Sequence, residues 1–231
     1  MHLFGYSRKI ALLLFLAIFA FISLQQATAK QDSDAAVRLL WSCGALLGQG
    51  NDQRLIAIDK TTVMHAGDQL KFYFEPQTEC FIYFFYYSSQ GDLQLLFPTE
   101  FSSSRLSPGT QYYIPAGKSW FELDEVKGIE KFFLLASSKK LEKLESLYRE
   151  HINMSDPVDT KASIGSIFSE IKNLKRQYRT LTTVAERPPR LGGSFRSVRK
   201  ENQTISYVIS QIAREISSSK YYSRTFTIDH Q

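Results

Sequence analysis

Cys80-Phe81-Ile82-Tyr83-Phe84-Phe85-Tyr86-Tyr87 is the stretch on which the fold turns. All eight residues are apolar or aromatic, and none is charged. Aromatic and β-branched residues in an unbroken run suit a strand. A strand apolar on both faces is one covered on both sides, so the run predicts a central strand between two layers. Ser88-Ser89-Gln90-Gly91-Asp92 follows as a hairpin turn, with Gly91 placed where a positive φ is needed. Leu93, Leu95, Leu96 and Phe97 form the return strand, and Pro98 stops it.

Working upstream, the β pattern opens near Gln53 with Leu55, Ile56 and Ile58. Gly67-Asp68 reads as a turn, and Leu70, Phe72 and Phe74 then alternate with period two, as a half-buried strand requires. Gly44, Gly48 and Gly50 lack the Gly-x-Gly-x-x-Gly spacing of dinucleotide folds and read as a mobile loop. Downstream, strands are expected at Gln111 to Ile114, Ser119 to Leu123 and Lys131 to Ala136. Many short strands separated by turns predict a β-sandwich-like core of antiparallel strands.

At Lys139 the period changes. Leu141, Leu144 and Tyr148 fall on one helical stripe. A longer helix is predicted from a cap at Asp159 or Thr160, with Ile164, Ile167, Phe168, Ile171, Leu174, Tyr178 and Leu181 on its apolar face. Arg187-Pro188-Pro189-Arg190-Leu191-Gly192-Gly193 breaks the helix and opens a basic loop running to Lys200. Ile205, Val208, Ile209, Ile212 and Ile216 fit a third helix, although their β-branching also suits a strand. Tyr221 to Ile228 alternates as a last strand. The predicted class is therefore mainly β with helical additions (α+β): a β-rich core domain over 30–138, then a basic helical extension over 139–231 whose C-terminal strand returns to the core.

The first 29 residues read as a secretory signal peptide. Arg8 and Lys9 precede an apolar run from Ile10 to Leu24, and Ala27-Thr28-Ala29 offers the small-x-small cleavage pattern. The run of about 15 residues is short of the roughly 20 that span a bilayer. Cleavage near Ala29 places the product in the periplasm or outside the cell; an uncut signal would anchor it to the membrane. The chain is 43% hydrophobic and 22% charged, with a net charge of +5, which excludes long disorder and a multi-span membrane protein. The charge is uneven: residues 30–138 hold 9 basic and 13 acidic groups, residues 139–200 hold 14 and 7. That basic part reads first as an ordinary solvated helix face; if it binds anything in an exported protein, an acidic protein partner or anionic lipid fits better than nucleic acid. Arg187, Arg190, Phe195, Arg196, Arg199 and Lys200, which join cations to one anchoring ring, are the candidate contact residues.

Motifs for covalent chemistry are weak. Cys43 and Cys80 are too few for a disulfide scaffold, and two readings stay open: a single bond between them, favoured by an oxidising compartment, or two buried thiols. Gly117-Lys118-Ser119 imitates the end of a phosphate loop, but Tyr112 stands where the first glycine belongs. His65, His151 and His230 lack partners at ligand spacing, so no metal and no cofactor is expected. Cys43 with His65 or His151 is the residual nucleophile pair. Glu122, Asp124 and Glu125 beside Trp120 and Phe121 suggest a sugar site in outline, but read better as solvated charges.

The β segment resembles a bacterial family named domain of unknown function 4384. The resemblance rests on an ordered set: Gly67-Asp68-Gln69-Leu70, then Phe81-Ile82-Tyr83-Phe84-Phe85, then Gly91 and Leu96-Phe97-Pro98, then Ile114-Pro115, then Gly128-Ile129-Glu130 and Leu134-Leu135-Ala136-Ser137. It covers about residues 55 to 138. It implies a β-rich module of an exported bacterial protein and carries no catalytic motif. The expectation is a non-enzymatic interaction or structural module of the cell envelope, bound to another envelope protein, an anionic lipid or a cell-wall polymer. The alternative is a hydrolase or carbohydrate-binding protein acting on an envelope polymer.

Overall fold

A computed structural model describes residues 37–48, 50, 53–58, 61–178, 185–187 and 209–231. The strands are β1 (Val37–Leu47), β2 (Arg54–Ala57), β3 (Thr62–Met64), β4 (Gln69–Pro76), β5 (Cys80–Tyr87), β6 (Leu93–Phe97), β7 (Arg105–Leu106), β8 (Tyr112–Ile114), β9 (Phe121–Glu122), β10 (Gly128–Ser137), β11 (Ala185–Arg187), β12 (Arg214–Ser218) and β13 (Tyr221–His230). Two helices, α1 (Glu142–His151) and α2 (Pro157–Tyr178), separate β10 from β11. The strands form two sheets. One runs β11-β12-β1-β4-β8, with β2 also on β1 and β9 also on β4; the other runs β3-β13-β10-β5-β6, with β7 also on β5. Among the described residues only the short β3 pairs in parallel, with β13.

Period-two alternation in both sheets creates the interior. Leu39, Trp41 and Cys43 of β1 and Leu70, Phe72 and Phe74 of β4 meet Ile82 and Phe84 of β5, Phe132 of β10 and Phe226 of β13 in one core. Phe72 is its hub, with ring centres 4.6 Å from Phe84, 5.2 Å from Phe132 and 5.8 Å from Phe226. The other face of β5 supplies a second core. Tyr83 and Phe85 pack with Leu135 and Tyr221 against Leu141, Leu144, Ile164, Ile167, Ile171 and Leu174 of the helical layer. The aromatic run is thus a central strand covered on both sides, sheet on one and helices on the other, as its sequence requires.

Several elements differ from the sequence reading. The stretch containing Gly44 is no loop but the interior of β1, whose Val37, Leu39, Trp41, Cys43 and Ala45 face the core. Gly44 is needed there because the side chain of Ile209 lies on it: a Cβ at that position would stand 3.0 Å from Ile209 Cγ1. The long helix starts earlier than Asp159 or Thr160. Asp156 Oδ1 accepts from the Val158 amide at 2.8 Å and the Asp159 amide at 3.2 Å, and Pro157 takes the first helical position, where its missing N–H costs nothing. Of the third predicted helix, Ile205 and Val208 lie outside the described residues, Ile209 to Gln211 are helical, and Ile216 sits on β12.

The β body is not closed by residue 138. β13 pairs with β10 along ten register positions, from Gly128↔His230 to Ser137↔Tyr221, and β12 pairs with β1. The last strands therefore lie within the sheets. Among the described residues no helix is long and apolar enough to cross a membrane.

Candidate functional site

Strand alternation sends the odd-numbered residues of β4 away from the core. Gln69, Lys71, Tyr73 and Glu75, continued by Gln77, make one row on the outer face of the seven-stranded sheet. β8 and β9 both pair with the same edge of β4, which sets a second row beside the first: Tyr113 opposite Tyr73, and Glu122 opposite Gln69. The loop between β8 and β9 brings Trp120 over Lys71.

The strip is held by side-chain bonds. Lys71 is fully covered, and its Nζ donates to Gly117 O at 2.6 Å and Ser119 O at 2.7 Å. The same nitrogen lies 6.0 Å from the Tyr113 ring centre and 5.8 Å from that of Trp120. One buried cation therefore fixes both rings and the loop between them. Burial also lowers the affinity of Lys71 for its proton. The Tyr73 and Tyr113 rings lie 5.1 Å apart. The Tyr73 hydroxyl donates to Glu75 Oε2, while Gln77 Nε2 donates to Glu75 Oε1 at 2.8 Å and Gln111 Nε2 to Glu75 Oε2 at 3.3 Å. At the far end Gln69 Nε2 donates to Glu122 Oε2 at 2.9 Å. Trp120, Tyr113, Glu75 and Gln77 are half-buried, and Gln111 and Glu122 are exposed.

Lys71, Tyr73 and Glu75 were not singled out in the sequence. Their one signal is the polar phase of the Leu70-x-Phe72-x-Phe74 alternation, which reads as an ordinary solvent face. Gly117-Lys118-Ser119 resolves clearly: the loop turns two carbonyls onto Lys71, whereas a phosphate cradle presents amides.

Other side-chain bonds serve the frame. Asp68, almost fully buried, accepts from the Gly48 amide at 2.8 Å and the His65 amide at 2.9 Å, so the Gly67-Asp68 turn is tied to the end of β1. Glu130 accepts from the Tyr86 hydroxyl at 2.6 Å and the Ser89 amide at 3.1 Å, which secures the β5–β6 hairpin. Glu145 of α1 is fully buried; it accepts from Tyr83 at 2.8 Å and Arg149 at 2.9 Å and lies 3.4 Å from Lys140 Nζ. Two shallow clefts lie elsewhere: about 530 Å³ between α1 and α2 around Lys143 and Gly165, and about 480 Å³ beside Arg54, Val63 and His65.

The remaining sequence candidates scatter. Arg190, Phe195, Arg196, Arg199 and Lys200 lie outside the described residues. Arg187 closes β11 opposite Glu215, so the backbone is still a strand where the basic loop was expected to open. Cys43 and Cys80 form no disulfide in the structure; both are buried free thiols, and burial pushes Cys43 well above its ordinary 9.0 and Cys80 up to about 12. A thiol so placed is a poor nucleophile. His65 is exposed beside Asp68, His151 ends α1, and His230 is buried at the end of β13. Among the described residues no group of three His, Cys, Asp or Glu side chains converges as metal ligands do. Glu122, Asp124 and Glu125 are all exposed.

No curated protein and no solved structure matches the chain. The matching family segment holds β4 and β10 but neither of their outer partners, β1 and β13, which come from the flanking chain. Residues 63–140 match the model of the family described as Domain of unknown function (DUF4384), the family whose motifs the sequence resembles.

Proposed function

We propose that the protein is an exported bacterial envelope protein, released by cleavage near Ala29, that acts as a non-enzymatic interaction module and presents the outer face of its seven-stranded sheet. One observation carries this reading: the aromatic–polar strip is pre-assembled. Its rings are fixed by Lys71 and its carboxylate is held by three donors, so little ordering remains to be done when a ligand arrives. The spacing of its acids favours holding over cutting. Glu75 and the position facing Glu122 stand six strand positions apart, which is about 20 Å at the usual rise. Glycoside cleavage needs two carboxyl groups within about 5–9.5 Å.

The experiment is crosslinked affinity purification from native envelopes, together with N-terminal sequencing of the recovered chain. A start at Lys30 and stoichiometric capture of envelope material support the proposal. A start at Met1, or a cytoplasmic location, refutes export; capture of nothing refutes the interaction role.

A further inference from the structure

The strip on β4, β8 and β9 has a composition that selects among ligands, and the selection rests on the interaction-module reading above. Two half-buried rings, Trp120 and Tyr113, have their centres 5.8 Å and 6.0 Å from the Lys71 Nζ. Planar hydrogen-bonding pairs flank them: Gln69 with Glu122 on one side, and Glu75 with Gln77 and Gln111 on the other. The cation between the rings is fully covered and spends two donors on backbone carbonyls.

Each feature excludes a class of partner. An anionic lipid surface needs a cluster of accessible cations, whereas Lys71 is covered and Lys118 is the one exposed cation of the β8–β9 loop. A protein hot spot needs a ring or cation that enters a partner's pocket, whereas these rings are themselves half-buried and held near the covered Lys71. A sugar presents the complement of this strip. Its apolar C–H face lies flat on an aromatic ring, and its hydroxyls, each donor and acceptor, meet carboxylate and carboxamide groups around the ring. On β4 the row from Gln69 to Glu75 runs about 20 Å, long enough for several sugars of a linear chain rather than one.

We infer that this strip is a glycan-binding platform for a linear envelope polysaccharide, with Trp120 and Tyr113 as stacking residues and Glu75, Gln77 and Gln111 as hydroxyl partners. The sugar is held without covalent change.

The test is co-sedimentation of the full chain with purified peptidoglycan sacculi, with insoluble chitin and β-1,4-glucan as comparison polymers. The wild type is expected to bind at least one polymer saturably. W120A is expected to weaken that binding at least tenfold, with far-ultraviolet circular dichroism and melting unchanged. W120F keeps an aromatic face and is expected to retain most of it, which a merely structural role of the loop would not require. Y113A provides a second lesion outside the Lys71 loop. Failure to bind any of the polymers, or equal binding by wild type, W120A and Y113A, overturns the inference. Capture of a stoichiometric protein partner from envelopes, unaffected by W120A, would overturn the glycan assignment while leaving the interaction-module reading in place.

Discussion

Replacing Tyr83 by Phe removes one oxygen from the seam between the sandwich and its helical layer. In the wild type that oxygen does two things: it donates to Glu145 at 2.8 Å and accepts from the Leu141 amide at 3.1 Å. Both partners are buried residues at the start of α1. The bond to Glu145 is charge-assisted, so its loss costs about 1.5–3 kcal/mol, and the Leu141 N–H left without its acceptor adds about 1–3 kcal/mol. Glu145 keeps Arg149 at 2.9 Å, which limits the damage on its side. The expected destabilisation is therefore about 3 kcal/mol, or a fall in Tm of about 6–12 °C for a domain of this size. Urea unfolding followed by circular dichroism measures it, with the slope unchanged if the native state is otherwise intact. Pairing Y83F with E145A in a double-mutant cycle should return a coupling of about 1–2 kcal/mol. A loss below about 1 kcal/mol, or no coupling, would refute the claim that this bond fastens the helices to the sheet.

Gly128→Ala should cost about 2 kcal/mol or more, because φ there is +146° and a Cβ would lie 2.5 Å from Ser89 Cβ; thermal melting checks it. Aromatic thiol reagents should label neither cysteine in the native protein and both after denaturation; a denatured chain with no free thiol would mean a disulfide. Burial holds Tyr73, Tyr83, Tyr86, Tyr148 and Tyr221 above their ordinary 10.0 and both thiols above 9.0. These groups bind protons more tightly when folded, so their contribution is complete below those values and is lost as pH rises beyond them. Lys71 and Lys175, lowered from 10.5, act with the opposite sign but are outnumbered. Tyrosinate absorbance from these five rings should therefore rise only with loss of circular dichroism; their ionisation near 10 in a folded chain would contradict this.

The parts of the fold legible in the sequence were those in which one period dominated. Residues 80–87 specified a two-sided strand because every position is apolar, and both cores are built on it. β1 was hidden by its glycine. The Val37-x-Leu39-x-Trp41-x-Cys43-x-Ala45 alternation is present, but Gly44 and Gly48 read as loop until the close approach of Ile209 explains the first of them. β12 was hidden by β-branched isoleucines whose spacing also fits a helix. The start of α2 was missed because Asp159 and Thr160 are good caps in isolation, while Asp156 followed by Pro157 is the better pair.

The candidate site was harder to read than the fold. A strand's polar phase looks the same whether its residues are solvated or organised, and only the register of β8 and β9 on β4 shows Lys71 lying under Tyr113 and Trp120. In the sequence Trp120 stands out for its acidic neighbours, yet Asp124 and Glu125 are simply exposed, and Glu122 serves Gln69. Lys71 and Trp120 stand 49 positions apart in sequence and meet where the β8–β9 loop crosses β4.

The central claim is that this surface holds an envelope polysaccharide and does not cut it. The most direct measurement incubates purified full chain with peptidoglycan sacculi and follows two quantities together: protein retained in the pellet and reducing ends released into the supernatant. The account predicts retention that depends on Trp120 and no release above the protein-free control. Protein left in the supernatant, or release of reducing ends that scales with protein concentration, would contradict it.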